Sequence, residues 1–393
     1  MDNDLDGVPL PGDASPLANT ASKFAGTWVG TWDGVVKTVL VVEAVSDTQE
    51  AKVIYAVGDN PGRFKRVWSR TSGKIDGNAL TIELKNANVR FELSGTGRLR
   101  GIYANGSGFA VLARRDLSDL LNMDTSVPWS IGTSQLLLTD LEEDGKPVRL
   151  ETVVFDPEGE GPFPLAVISH GSTGAGTDKV ARTMTWSHAW LADVLNERRW
   201  RVAFPQRRGR GKSDGLYDEG FEDDRSKGYT CDPARSLAGA ERAMADLHAA
   251  IAALRNQKTS SNTPVLLAGQ SRGGALSMAY ASRYSEETAG VVNFVGGWIG
   301  EGCATATKIN QALLAKTPAF PGSTLWIYGR DDVYYSVDHS RENFTAFELS
   351  GGAGKFIVVT VAGDNNGHYA MAIPPLWGKH VSAYLDEIEG AVK

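Results

Sequence analysis

Residues 264–283 read PVLLA-GQSRGG-ALSMAYASR, with Gly269, Gln270, Ser271, Arg272, Gly273 and Gly274 at the centre. The apolar run before Gly269 suits a strand buried on both faces. The run after Gly274 has helical spacing and small residues. The centre is therefore G-x-S-x-G between a strand and a helix, the context in which this motif presents a nucleophile. A serine there sits in a tight, strained turn. Only small neighbours let strand and helix approach so closely, and Gly269 and Gly273 supply that smallness. The helix amino terminus then aims backbone N–H groups at the serine. The same letters in an isolated loop would carry no chemistry; the flanking elements favour Ser271 as a nucleophile.

Outward from this motif, strands and helices alternate. SQLLLTDLE and PVRLETVVFDP flank a hairpin turn at Glu143-Asp144-Gly145-Lys146. LAVISHG (165–171), RVAFPQ, VVNFVGG, STLWIYG and KFIVVTVAG read as further strands. Helical spacing is expected over 186–200, 233–256, 272–284, 304–315, 338–348 and the carboxyl-terminal segment from His380. Asp232-Pro233 is a helix start, with aspartate as N-cap and proline in the first turn. The fold class expected for 135–393 is α/β, a mostly parallel sheet flanked by helices.

The amino-terminal third follows another rule. Over 21–117 short apolar runs alternate with turn signals, including Asp76-Gly77-Asn78 and Gly95-Thr96-Gly97. Leu80, Ile82 and Leu84 alternate with polar residues, as do Val89, Phe91 and Leu93. This period of two predicts a small antiparallel barrel or sandwich of about six to eight strands. Residues 1–20 are polar and rich in Asp, Pro and Gly, and read as a flexible tail. They show no basic start and no apolar stretch, so they are not read as a signal peptide. Residues 118–134, with Asp119, Asp124, Pro128 and Gly132, read as a linker.

The 393 residues are 42% apolar and 22% charged, as in globular proteins. Forty Lys and Arg against 47 Asp and Glu give a net charge of −7. An acidic balance argues against nucleic acid as partner. No apolar run approaches the roughly 20 residues of a membrane-spanning helix. No metal-ligand spacing is present, and no cofactor is expected.

A serine nucleophile needs a base and an orienting acid. In a sheet of this kind the chain order is Ser, Asp or Glu, then His. His368 follows the last strand, in GDNNGH, and is the expected base. His188 and His248 precede Ser271 and are read within helices. His339 is read as opening one helix and His380 another. The acid should follow STLWIYG, where Asp331 and Asp332 both stand. Asp332 is favoured, with Asp331 as a turn residue, and Asp364 is read as a loop-former. Two backbone donors should hold the oxyanion. They are the N–H of Arg272, next to the nucleophile, and that of Ser172, in the loop SHGSTGAG. His170 is read as holding that loop. Gln206, Trp186, Tyr229 and Trp298 are candidates for the substrate wall, although aromatics in such a chain are more often plain core. Arg207 shares that candidacy, but the run 207–215, RRGRGKSDG, lacks the spacing of a phosphate loop and reads first as a turn.

Taken together, HGS at 170–172, RRGRGKSDG at 207–215, GQSRGG at 269–274, YGRDD at 328–332 and NGH at 366–368 resemble an α/β-hydrolase of the dienelactone-hydrolase-like or serine-esterase type. The resemblance covers 135–393. It implies acyl transfer to Ser271 followed by hydrolysis. Dienelactone hydrolases carry cysteine where this chain has Ser271, which favours an ester or amide, small or polymeric, as substrate.

Cys231 and Cys303 are the only cysteines. In such a fold their loops lie near the same sheet edge, so a disulfide is expected between them. It would favour a periplasmic or secreted location if a leader had been removed. The rival readings are a serine peptidase of the oligopeptidase type, and a binding protein whose β domain carries the function. Trp28 and Trp32 would suit sugar stacking if exposed.

Overall fold

The computed structural model describes residues 2–5, 7–16, 21–60, 63–106, 108–121, 129–316, 319–363 and 366–391. The chain forms two compact units. The first is Met1–Thr133 with His188–Asp193, and the second is Ser134–Ser187 with Val194–Lys393.

The first unit is built on a closed eight-stranded antiparallel barrel. After a ribbon of β1 (Asp2–Leu5) and β2 (Val8–Pro11) come β3 (Gly26–Trp32), β4 (Val36–Val45), β5 (Glu50–Val57), β6 (Val67–Asp76), β7 (Ala79–Leu84), β8 (Ala87–Leu93), β9 (Leu99–Tyr103) and β10 (Phe109–Arg115), and β10 closes on β3. The alternation resolves the barrel-or-sandwich choice. Leu40 and Val42 point inward with Trp28, Trp32, Tyr55 and Phe91. Val39 and Val41 point outward with Val29, Ile54 and Ala56. Trp28 and Trp32 are thus buried in the lumen, and the sugar-stacking reading fails.

Two segments correct the sequence reading. Residues 1–20 are not a plain tail, because β1 and β2 form there. Val8 and Leu10 pack on the outer apolar cluster of the barrel. The linker holds a short helix, α1 (Leu117–Leu121), and Leu120 and Trp129 cover that same cluster. Asp124 and Pro128 lie outside the described residues. The short patterns there are too brief for periodicity to register, and only the barrel's outer face gives them a partner.

The stretch His188–Asp193 completes this unit. Asp193 is fully buried and accepts from Thr96 Oγ1 (2.5 Å), Arg98 (3.2 Å) and Arg100 (2.7 Å). Trp190 meets the Phe109 ring edge-on at 5.9 Å.

The second unit is an eight-stranded sheet: β11 (Thr133–Glu143), β12 (Lys146–Phe155), β13 (Leu165–Ser169), β14 (Arg201–Pro205), β15 (Val265–Gln270), β16 (Thr288–Phe294), β17 (Ser323–Gly329) and β18 (Ala353–Val359). Their spatial order is β11-β12-β14-β13-β15-β16-β17-β18. β12 pairs antiparallel with β14, and the pairs from β14 through β18 are parallel. The helices are α2 (Lys179–Thr183), α3 (Ala189–Asn196), α4 (Pro233–Arg255), α5 (Arg272–Arg283), α6 (Ala306–Leu314), α7 (Val337–Leu349) and α8 (Pro374–Ala391). This is the α/β-hydrolase architecture. α4 starts as its sequence dictates: Asp232 accepts from Arg235 N, with Pro233 in the first turn. The helix expected over 186–200 is shorter, and His188 precedes it, its Nδ1 accepting from Leu191 N. His380 lies inside α8 rather than opening it.

Candidate active site

Ser271 stands between β15 and α5 with φ +57° and ψ −122°. A non-glycine residue held there costs about 1–3 kcal/mol of backbone strain. The surroundings hold it in place. Ser271 N–H donates to Phe294 O, and Ser271 O accepts from Gly274, Ala275 and Gly297. A Cβ on Gly269 would sit 2.3 Å from the Gly273 carbonyl, and one on Gly273 would sit 2.1 Å from Ser169 O. Both positions therefore require glycine, for the reason the motif suggested.

His368 lies in a 3₁₀ turn, Gly367–Ala372, capped by the Asn366 side chain. Its Nδ1 is 2.9 Å from Asp332 Oδ2. The other Asp332 oxygen accepts from the N–H groups of Tyr334 (2.8 Å) and Tyr335 (3.1 Å). Of the two aspartates, Asp332 is the one in contact with His368. Asp331 is exposed, has φ +61°, and shapes the turn. Asp364 lies outside the described residues. With its proton on Nδ1 facing the carboxylate, the imidazole keeps Nε2 as an acceptor.

Ser271 and His368 line one cavity of about 570 Å³, together with Gly171, Ser172, Arg272, Trp186, Tyr229 and Trp298. The expected oxyanion donors thus share the cavity with the expected nucleophile and base. Gln206 does not line it. It is fully buried, and its side chain hydrogen-bonds the Trp186 backbone at both N and O. Its short amide is spent on anchoring that aromatic. Arg207 does not line it either.

Sequence reasoning missed three residues here. Arg210 lines the cavity from within the run read as a turn. Glu219 is buried between Arg207 (2.5 Å) and Arg272 (3.4 Å). Burial raises its carboxyl, but the two guanidiniums outweigh that and hold it below the ordinary range. Tyr335 donates its hydroxyl to Gly297 O (2.7 Å) and lines the cavity with Ser271. The Arg272 guanidinium lies 3.5 Å from the Tyr229 ring centroid and 4.4 Å from that of Trp298. Arg207 and Arg272 share the buried Glu219 carboxylate, and Glu219, 12 residues after Arg207, was the available signal.

His170 is fully buried. Its Nδ1 donates to Gly171 O (2.8 Å), and its Nε2 accepts from Arg207 N (3.1 Å). Burial, then Arg207 and Arg210, push its pKa well down. It is a neutral strut for the loop. A disulfide joins Cys231 to Cys303, as expected.

A family model described as serine aminopeptidase, S33 (Hydrolase_4) matches residues 180–320. No curated protein matches the sequence. Among solved structures, the chain is similar to the esterase Pf2001 of Pyrococcus furiosus, at 16% identity and a TM-score of 0.44, over 67% of this chain and 94% of that one. It is similar to Est1E of Butyrivibrio proteoclasticus, solved with ferulic acid bound, at 14% identity and 0.45, over 63% and 98%. A putative dienelactone hydrolase of Klebsiella pneumoniae compares at 14% and 0.41, over 64% and 96%.

Proposed function

We propose that this protein is a serine hydrolase that cleaves carboxylic esters through an acyl-enzyme on Ser271. One observation carries the reading: a strained, buried serine at a helix amino terminus shares a cavity with a histidine whose far nitrogen meets a buried aspartate. Ser271 Oγ bonds to the ester carbonyl carbon while its proton passes to His368 Nε2. Asp332 orients the ring and stabilises the imidazolium. The oxyanion is held by the N–H groups of Ser172 and Arg272. The intermediate collapses, the alkoxide leaves with the proton from His368, and water then releases the acid by the reverse sequence.

An aminopeptidase reading draws on the matched family model. Such an enzyme must hold a substrate ammonium, which calls for carboxylates in the wall. Here the cavity presents Arg210, Lys227 and Arg272 against one carboxylate, Asp178. That charge balance favours the ester.

The test is hydrolysis of p-nitrophenyl acetate, butyrate and octanoate by wild type and Ser271→Ala, beside aminoacyl anilides. Turnover of the esters that the substitution abolishes supports the proposal. Faster cleavage of the anilides would move the assignment to a peptidase, and activity indifferent to Ser271 would remove the mechanism.

A further inference from the structure

The Gly171 carbonyl accepts three hydrogen bonds. They come from His170 Nδ1 at 2.8 Å, Arg207 Nη2 at 3.2 Å and Arg210 Nη1 at 3.2 Å. Two of the three donors are cationic and buried. The peptide unit from Gly171 to Ser172 is planar and trans, so its N–H points opposite to its C=O. Three donors that fix the carbonyl therefore also fix where the Ser172 N–H points, away from the arginines. Gly171 and Ser172 both line the cavity, and a Cβ on Gly171 would lie 3.3 Å from Ser271 Cβ. The Ser172 hydroxyl is turned to Gly174 O, so the backbone N–H is the group it offers the site.

The two arginines are not equivalent. Arg207 is tied to Glu219 at 2.5 Å and also donates to His170 O. Arg210 forms no ion pair among the described residues. Its one side-chain hydrogen bond there goes to Gly171 O, and its Nε is buried without a partner. Burial, joined by the like charge of Arg207, lowers its pKa against the pull of Glu219. A buried cation in this state is costly to the fold. Removing it would relieve that cost, yet its guanidinium sits on the carbonyl of the peptide whose N–H is the proposed oxyanion donor.

We propose that Arg210 is a positioning residue for the oxyanion hole: by clamping the Gly171 carbonyl it aims the Ser172 N–H and polarises that peptide for charge that develops in the transition state. A positive charge on the carbonyl oxygen strengthens the N–H as a donor, because hydrogen bonds in series polarise one another. Arg210 touches neither the nucleophile nor the reacting carbon in this role. The inference rests on the acyl-enzyme reading above.

The experiment compares wild type, Arg210→Met and Arg210→Lys on a neutral ester, p-nitrophenyl butyrate. Each is also titrated with an aryl trifluoromethyl ketone, which forms an anionic adduct on the serine, and melted to check folding. Loss of a whole oxyanion donor costs about 100–1,000-fold in kcat, so a misaimed donor is expected to cost Arg210→Met about 10–100-fold. KM should stay within about threefold, and ketone affinity should fall by a factor similar to kcat. Arg210→Lys restores a cation and should recover part of both; it carries the test if Arg210→Met does not fold. An unchanged kcat in folded Arg210→Met overturns the proposal, as does an Arg210→Lys that recovers nothing. So does a loss confined to KM with ketone affinity intact, which would make Arg210 a direct ligand contact. A wild type that turns over no ester and forms no ketone adduct overturns the acyl-enzyme reading, and this inference with it. Turnover by wild type with indifferent variants overturns this inference alone.

Discussion

The backbone of Ser271 sets the tolerance of the whole site. Its φ of +57° is held by glycines on both sides, and the space at Gly269 is already filled by the Gly273 carbonyl. Gly269→Ala should therefore abolish ester turnover even where the protein still folds. A folded alanine variant with near-normal kcat would refute the strained-turn account. Asp332→Asn keeps the shape but presents an amide where His368 Nδ1 needs an acceptor, so kcat should fall roughly 10⁴-fold. The check is kcat against KM at fixed pH, with KM little changed. Glu219 carries a third prediction. Its carboxyl is held below its ordinary value of 4.5. A lowered folded-state value means stability that is full above the ordinary value and is lost as pH falls through the folded one. Replacing one member of a buried ion-pair set typically costs about 3–5 kcal/mol. Glu219→Gln should thus melt well below wild type near pH 7, and the gap should narrow below about pH 4. A gap that is flat with pH would show that its carboxylate charge is not what stabilises.

At the level of elements, much was legible because the patterns were long. Strand–helix alternation announced the sheet, and G-x-S-x-G marked the turn between β15 and α5. His368 and Asp332 followed from chain order after β18 and β17. What escaped had no local signature. The ribbon of β1 and β2 is four residues a strand, and only Val8 and Leu10, seated on the barrel's outer face, explain it. Gln206 sits at a strand end where substrate contacts are common, yet its side chain turns back to the Trp186 backbone. Which way an amide turns is decided by neighbours 20 residues distant, and spacing does not encode it. The disulfide belongs to this scale as well. It ties the start of α4 to the loop before α6 across 72 residues. A closed loop of that size is worth about 4 kcal/mol by chain entropy. The double variant Cys231→Ser/Cys303→Ser should unfold at distinctly lower denaturant with a similar m-value. Equal midpoints would mean that the bridge contributes no stability.

For the molecule as a whole, the lumen of the barrel is filled, among the described residues, by side chains that include Trp28, Trp32, Tyr55 and Phe91. The first unit is discontinuous in sequence, since His188–Asp193 belong to it. A fragment ending at Thr133 would lack the carboxylate on which Thr96, Arg98 and Arg100 converge. Breaking such a cluster typically costs about 3–5 kcal/mol. The isolated fragment should therefore melt well below a version with Asp193-bearing sequence appended through a linker; matching melting curves would contradict this. The same discontinuity has a consequence during synthesis. All eight barrel strands have left the ribosome's active site by Arg115, but Asp193 is made 78 residues later. At about 5–20 residues per second, that leaves an interval of about 4–16 s. Throughout it Arg98 and Arg100 lack the Asp193 carboxylate, and the order of translation decides when that contact can form.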